Sequence, residues 1–222
     1  MQDRPSIVVE EYLQVIYALE QSESKIKAAI LASRLKTSPS TVHATLSRMQ
    51  RDQLITIDEK KEITLSSEGL EKAETMIRRH RLVETFLCNK LGISWHEVHQ
   101  HAHVLEHGLT PLVEEKLAEF LGFPESCPHG TPIPGSTHKL PESFLFLEKA
   151  EVGDLIEIVL VSESLEDSVD LMQFLQEKNI VPQQQHQVIE KIPITNTIVL
   201  KSENGRVTLP YEIASKIGVR KI

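Results

Sequence analysis

Cysteine is nearly absent from this chain. Cys88 and Cys127 are the only two in 222 residues. That is too few for a disulfide framework, and two widely spaced thiols are expected to stay reduced. Long apolar runs are absent as well: nothing approaches the ~18–20 residues that cross a bilayer, which excludes a helical membrane anchor and leaves no membrane partner expected. The first residues, Met1-Gln2-Asp3-Arg4-Pro5, hold no basic stretch followed by an apolar one, so no secretory signal is read there. Together these absences make the cytoplasm the expected location. Internal repeats are missing too.

A positive net charge is also lacking. The sum is -8, which alone argues against a simple nucleic-acid binder, but the distribution matters more than the sum. From Ser24 to Lys61 the chain carries Lys25, Lys27, Arg34, Lys36, Arg48, Arg51, Lys60 and Lys61 against Asp52, Asp58 and Glu59. From Glu142 to Asp170 the balance reverses, with nine acids against Lys149. A basic front and an acidic back suit a protein that meets an anion at one end and a cation elsewhere. What remains is ordinary: 40% hydrophobic and 25% charged residues, enough chain for one large domain or two to three small ones.

Hydrophobic periodicity predicts a mainly α chain with small β parts. Residues 1–66 read as three helices and a hairpin. Val8, Tyr12, Val15, Ile16 and Leu19 mark the first helix; Ala28, Ile30, Leu31 and Leu35 mark the second. Ser38 is the expected N-cap of the third, with Pro39 at its first position and Val42, Leu46 and Met49 as its buried stripe. Residues 54–57 and 62–65 are β-branched strands around the charged turn Asp58-Glu59-Lys60-Lys61. That order is a winged helix-turn-helix. Residues 67–123 read as helical, starting from Ser66 or Ser67, with a helix from Trp95 to about Glu106 capped by Ser94 and another from Thr110-Pro111. The proline-rich stretch 124–148 is expected to be an extended linker. Residues 149–222 read as a small barrel of SH3-like size, with a strand near 153–161, a short helix at 171–176 and a hairpin turning at Glu203-Asn204-Gly205.

In a helix-turn-helix the second helix of the motif enters the major groove, and its N-terminal residues face base edges. Here those residues are Ser38, Ser40, Thr41, His43 and Ala44, whose hydroxyls and methyls suit base and phosphate contacts. Lys27, Lys36, Arg48, Arg51 and the wing residue Lys60 are placed for flanking phosphates of double-stranded DNA. A winged helix used for protein contacts, its basic residues merely solvated, is the alternative. The joint occurrence of helix order, turn, wing and local basic charge favours DNA.

Five of the ten histidines fall between His96 and His107. His103, Glu106 and His107 stand at i, i+3 and i+4, the spacing at which one helix face offers three ligands to one ion. His99 precedes His103 by a turn, another helix carries His80 and Glu84 four apart, and the first helix carries Glu10 and Glu11. One such His pair is usually a solvated face. Two pairs with interleaved glutamates, on helices expected to pack together, point to a metal instead. Imidazole and carboxylate donors without thiolate suit Mn(II), Fe(II) or Zn(II), and the Irving–Williams order lets Zn(II) or Co(II) substitute in vitro. A rival reading takes His103-Val104-Leu105-Glu106-His107 as the H-x-x-E-H motif of a zinc metallopeptidase, with Glu106 as general base. It leaves the winged helix, His80 and Glu84 unexplained. No small organic substrate is otherwise expected.

The whole arrangement resembles the diphtheria-toxin-repressor family of iron- and manganese-dependent repressors. The resemblance rests on residues 11–17, Ser40-Thr41-Val42, residues 48–52, His80-Arg81-Leu82-Val83-Glu84, the segment from His99 to His107, and Pro128-His129-Gly130-Thr131-Pro132-Ile133-Pro134. It implies a non-enzymatic, metal-dependent repressor of metal-homeostasis genes that binds operator DNA as a homodimer through a helical dimerisation domain. It implies a primary metal site of Glu11, His103, Glu106 and His107. It also implies an ancillary site of His80, Glu84 and His99, completed by Asp167 or Glu166 together with Asp170. Iron-type members resemble one another in having methionine where this chain has Glu11 and cysteine where it has His103. Manganese-type members have carboxylates at both positions. The harder donors here favour Mn(II), with Fe(II) next. Ala44 stands where iron-type members have glutamine, so a different operator is expected.

Overall fold

The computed structural model describes residues 5–21, 25–137, 139–202 and 205–222. The chain divides into two compact units, Met1–Arg79 and His80–Ile222. The division falls inside a single helix, α4 (Ser67–Leu91), and not before it.

In the first unit, α1 (Ile7–Gln21), α2 (Ala28–Arg34) and α3 (Pro39–Arg51) precede the hairpin of β1 (Ile55–Ile57) and β2 (Ile63–Leu65). Leu13, Ile16, Leu31, Val42, Met49 and Ile63 form its core, so the 3.6-residue apolar period of each helix turns inward. Between α2 and α3 the chain reverses at Lys36, whose φ of 48° is left-handed, and the Thr37 amide closes on the Ala32 carbonyl at 3.1 Å. Ser38 caps α3 by accepting from the Thr41 amide at 3.1 Å, with Pro39 in the first turn. The hairpin pairs Ile55 with Leu65, Thr56 with Thr64 and Ile57 with Ile63. Its turn is held by Asp58, whose Oδ1 accepts from the Glu62 amide at 2.7 Å. Ser66 is the cap of α4, accepting from the Gly69 amide at 3.0 Å. Gly69 is required there: a Cβ would lie 1.9 Å from the Leu54 carbonyl oxygen.

The second unit takes the rest of α4, α5 (Val98–Leu105), a 3-10 turn at Glu106–Gly108 and α6 (Pro111–Phe120). A six-stranded antiparallel sheet follows in the order β3-β8-β4-β5-β6-β7. Its strands are β3 (Phe144–Phe146), β4 (Leu155–Val161), β5 (Gln185–Ile192), β6 (Thr197–Ser202), β7 (Gly205–Pro210) and β8 (Ile217–Lys221). Short helices α7 (Glu163–Glu166), α8 (Val169–Glu177) and α9 (Tyr211–Ala214) lie between strands. Ile156, Ile158, Val188, Leu200 and Val219 fill the core of this sheet, and Trp95 packs onto it. Glu203 and Asn204, placed at the tip of the expected hairpin, lie outside the described residues; β6 and β7 pair as expected on either side.

Two expectations differ from the structure. The helix expected from Trp95 begins at Val98, because the Ser94 carbonyl receives the Glu97 and Val98 amides as a preceding turn. Its end at Leu105 lies next to the expected Glu106, and there the backbone tightens into the 3-10 turn. The stretch read as an extended linker contains β3 and, before it, a folded turn. There the Cys127 amide bonds the Thr131 carbonyl at 3.0 Å and the Gly130 amide bonds the Cys127 carbonyl at 2.9 Å. Prolines removed amide donors there without removing packing, and Cys127, His129 and Ile133 are buried.

Candidate metal centre and nucleic-acid interface

At the start of α3, Ser38, Ser40, Thr41, His43 and Ala44 are all exposed. Ser38 Oγ is committed to capping and lies 2.8 Å from the hydroxyls of both Ser40 and Thr41. Ser40, Thr41, His43 and Ala44 therefore form the open edge of the helix. Lys27, Lys36 and Lys60 are exposed. Arg48 Nη2 donates to Ser6 Oγ at 2.9 Å, and Arg51 Nε donates to Asp52 Oδ1 at 2.9 Å. Exposed pairs of this kind contribute about 0–1 kcal/mol, so neither contact withholds its guanidinium from a phosphate.

In the second unit, α4 places His80 and Glu84 one turn apart on a buried face, and α5 brings His99 against them. His80 Nε2 is 3.0 Å from Glu84 Oε1 and 3.0 Å from His99 Nδ1. His99 Nδ1 is 3.4 Å from Glu84 Oε1 and 2.9 Å from Glu166 Oε2. One ligand atom from each of His80, Glu84, His99 and Glu166 lies within 4.8 Å of the others. Of the third-domain acids, Glu166 is the buried one. Asp167 is 75% exposed, its Oδ1 3.8 Å from His99 Nε2. Asp170 is exposed on the first turn of α8 and lies outside the group. The reason is local. The short helix α7 turns Glu166 inward and ends, and the chain restarts at the Ser168 cap of α8 with Asp170 facing outward.

Two further donors come from the folded turn. Cys127, His129 and Glu84 bring ligand atoms within 4.8 Å of one another. His129 Nδ1 is 3.5 Å from Glu84 Oε1 and 3.4 Å from Glu166 Oε1. Gly130, at φ +86°, lets the turn seat on β4, for a Cβ would lie 2.1 Å from the Val159 carbonyl oxygen. The His129 carbonyl accepts from the Val161 amide at 2.8 Å. His129 Nε2 donates to the Trp95 carbonyl at 3.0 Å, while Trp95 Nε1 donates to the Pro128 carbonyl at 2.9 Å. That bond occupies Nε2 and leaves Nδ1 facing Glu84 and Glu166. Neither Cys127 nor His129 is among the ligands expected from the sequence, where His129 stands only within the segment Pro128-His129-Gly130-Thr131-Pro132-Ile133-Pro134. The available signal was a Cys-x-His pair flanked by prolines and followed by Gly130, a turn built for close approach.

Glu106 is fully buried. One of its oxygens binds His80 Nδ1. The other lies 3.4 Å from His103 Nδ1 and 3.5 Å from His107 Nε2. His107 is partly buried beside it and His103 is exposed. The structure thus gathers His103, Glu106 and His107, though the 3-10 turn and not a continuous α-helix carries the last two. Glu11 belongs to α1 of the first unit. On the far side of α4, Arg81 Nε donates to Glu163 Oε1 at 2.6 Å and its Nη1 bonds the Pro132 carbonyl. This guanidinium pins both α7 and the folded turn.

Burial opposes charge on every group in the cage, and the histidines and carboxylates offset that against one another. Burial disfavours the His80 imidazolium, but Glu84 and Glu106 outweigh it and lift its pKa to about 10. His129 and His99 are also raised: burial opposes their charge, but it is outweighed by Glu166 and Glu84 for His129, and by Asp167, Glu166 and Glu84 for His99. Burial would raise Glu84, yet His80 and His129 hold it well below the usual range. Glu166 is raised by burial and by Glu84. Burial pushes the Cys127 thiol up to about 11. Even so, Glu84 Oε2, both oxygens of Glu166 and Nδ1 of His129 are buried and make no hydrogen bond. Buried polar atoms without hydrogen bonds are costly. Oxygen and nitrogen ligand atoms that converge in a buried space fit a divalent cation that displaces the histidine protons.

Residues 6–63 match the family description "Iron dependent repressor, N-terminal DNA binding domain" and residues 66–135 "Iron dependent repressor, metal binding and dimerisation domain". Residues 147–221 match "FeoA domain". The iron-dependent repressor IdeR of Mycobacterium leprae is 32% identical, with 96% of each chain covered. The diphtheria toxin repressor of Corynebacterium jeikeium is 29% identical, again over 96% of each. A solved manganese-dependent transcriptional repressor in complex with manganese superposes with a TM-score of 0.84 at 30% identity, over 96% of this chain and 100% of that one. ScaR with bound Zn2+ superposes with a TM-score of 0.82 at 29% identity, over 98% and 100%.

Proposed function

This chain belongs to the iron-dependent repressor family of the diphtheria toxin repressor, and from that premise we propose that it represses metal-homeostasis genes by binding operator DNA as a Mn(II)-loaded homodimer. The family's members are metal-dependent, DNA-binding transcriptional repressors and not enzymes. The metallopeptidase alternative falls: the relatives are repressors, and Glu106, its required general base, is fully buried against His80. A base with no exposed surface cannot take a proton from a water attacking a peptide.

The observation that carries the metal reading is the set of buried, unsatisfied oxygens of Glu84 and Glu166 among three histidines. In our reading His80, Glu84, His99 and Glu166 hold the ancillary ion. His103, Glu106, His107 and, from α1, Glu11 hold the primary one. A bound divalent ion supplies positive charge that neutralises the carboxylates and crosslinks the segments carrying the ligands. Glu106 orients His80 through Nδ1 and leaves Nε2 as the lone pair. Nitrogen and oxygen donors at His103 and Glu11, where iron-type relatives carry sulfur, favour Mn(II) over Fe(II). The apolar strip of Val104, Leu112, Val113 and Phe120, all exposed, is our candidate dimer face, since an exposed apolar patch marks an interaction surface. Among the described residues no helix is long and apolar enough to cross a membrane.

The test is a fluorescence-anisotropy titration on promoter DNA from the protein's own genome, first with chelator and then with Mn(II), Fe(II) or Zn(II). Sequence-selective binding that appears with Mn(II) at the lowest free concentration within its cellular range is the expected result. Binding unaffected by chelator would overturn it.

A further inference from the structure

Helix α3 turns a strip of small side chains away from the core of the first unit. Val42, Thr45, Leu46 and Met49 are its buried side. At 3.6 residues per turn, Ser40, Ala44 and Ser47 stand on the opposite side, and all three are exposed. The strip runs on to Arg51, whose Nε donates to Asp52 Oδ1 at 2.9 Å. Small side chains let the helix backbone approach a groove closely, and they leave the longer ones to the flanks. His43 and Gln50 stand on one flank, Thr41 and Arg48 on the other.

Most of the hydrogen-bonding groups on this face are already engaged. Ser38 Oγ accepts from the Thr41 amide and lies 2.8 Å from the hydroxyls of both Ser40 and Thr41. Ser47 Oγ donates to the His43 carbonyl at 2.9 Å. Arg48 Nη2 donates to Ser6 Oγ at 2.9 Å. Ala44 offers a methyl group and nothing else. The His43 ring differs from all of these. It is exposed, and among the described residues it makes no hydrogen bond, ion pair or ring contact. Gln50 is also exposed, but it stands about two turns further on, and base edges are met by the N-terminal part of a recognition helix.

We infer that His43 is the residue through which this chain selects a guanine in each half of its operator, by donating an imidazole N–H to N7 of that base in the major groove. Imidazole keeps at least one N–H in either protonation state. Guanine sets two acceptors side by side, N7 and O6, whereas adenine sets an amino donor beside its N7. An N–H aimed at this edge is therefore welcomed by guanine and opposed by adenine. His43 breaks no bond within the protein to reach a base, while Ser40 and Thr41 must first leave Ser38. The strip of Ser40, Ala44 and Ser47 gives the close approach, and His43 gives the selectivity. The inference rests on the reading of the chain as an operator-binding repressor, and it adds which side chain chooses which base.

The experiment selects binding sequences from a pool of random duplexes with the Mn(II)-loaded full chain and with its His43→Ala and His43→Gln variants. Thermal melts check that the variants keep the fold, since position 43 lies outside the buried side of α3. The unaltered chain should return a symmetric site with a fixed guanine in each half. His43→Ala should lose the preference at that position alone. His43→Gln should move it toward adenine, whose N6 and N7 a glutamine amide matches. On the selected site, 7-deazaguanine replaces N7 by C–H; it should weaken the unaltered chain about 10-fold and leave His43→Ala unaffected. If His43→Ala binds no duplex at all, the base chosen by His43→Gln decides. The same guanine retained by the variants, or an unaltered chain indifferent to 7-deazaguanine, overturns the inference while the repressor reading stands. If the unaltered chain selects no sequence with Mn(II), the repressor reading itself fails.

Discussion

At the residue scale, His80 shows how burial and charge share one proton. Its pKa near 10 means that the metal-free chain holds that imidazolium at neutral pH, and His129 is shifted the same way. A metal takes the lone pair, so it must displace the proton. The sign follows: affinity rises with pH through the range below the raised pKa, by about tenfold per unit for each proton displaced. Calorimetry between pH 6 and 8, in buffers of different ionisation heat, should detect proton release and a rising affinity for Mn(II). A flat affinity across that range would show that the histidines are already neutral. Glu11→Ala makes a separate prediction. Metal-dependent DNA binding should be lost while the metal-free fold persists, and an unchanged metal-dependent band shift would remove Glu11 from the mechanism.

At the scale of elements, the cage depends on two pieces of backbone with little regular structure. Helix α7 is a single turn whose Glu163 is tied to Arg81 and whose Glu166 faces the histidines. Arg81→Ala removes the tie and leaves the partly buried Glu163 without its cation. Outer-shell losses of this kind typically lower metal affinity about 10–100-fold, and Mn(II) titration of the variant should show a drop in that range; an unchanged affinity would mean that α7 is held by packing alone. The folded turn depends on Gly130. Gly130→Ala must adopt a left-handed φ and move the Val159 carbonyl, at a cost of about 1–3 kcal/mol for the backbone alone. Thermal melts of the metal-free chain should show a Tm lower by several degrees, and the thiol of Cys127 should become reactive.

At the scale of the whole molecule, net charge and function oppose one another. A chain of charge -8 approaches a polyanion, and in the proposed reading the basic residues of the first unit make that possible. Binding should weaken steeply with salt, the log–log slope being about -0.9 for each phosphate neutralised, and Lys36→Ala should make the slope shallower by about one phosphate's share. The apolar strip on α5 and α6 gives a second test. Leu112 is exposed in the chain, so Leu112→Glu should leave the fold intact, shift sedimentation toward monomer and lose operator affinity. A dimeric variant would place the interface elsewhere.

Much of this was legible in the residues. Helix periods, the Ser38-Pro39 cap, the β-branched hairpin and the i, i+4 spacing of His80 with Glu84 are local properties, set by φ/ψ preferences and by the 3.6-residue repeat within a few neighbours. These predicted the winged helix, the helical middle and the small β domain, and the resemblance they carried led to the family. The tertiary structure alone decided which carboxylate of the third domain faces the cage, because Glu166, Asp167 and Asp170 share one acidic stretch and differ only in how α7 ends. It also decided that Cys127 and His129 stand beside Glu84, some forty residues away in sequence. Proline there signals missing amide donors, which reads as an extended linker. Whether such a segment extends or folds onto a strand is settled by a left-handed glycine, one buried arginine and the space left by residues far along the chain.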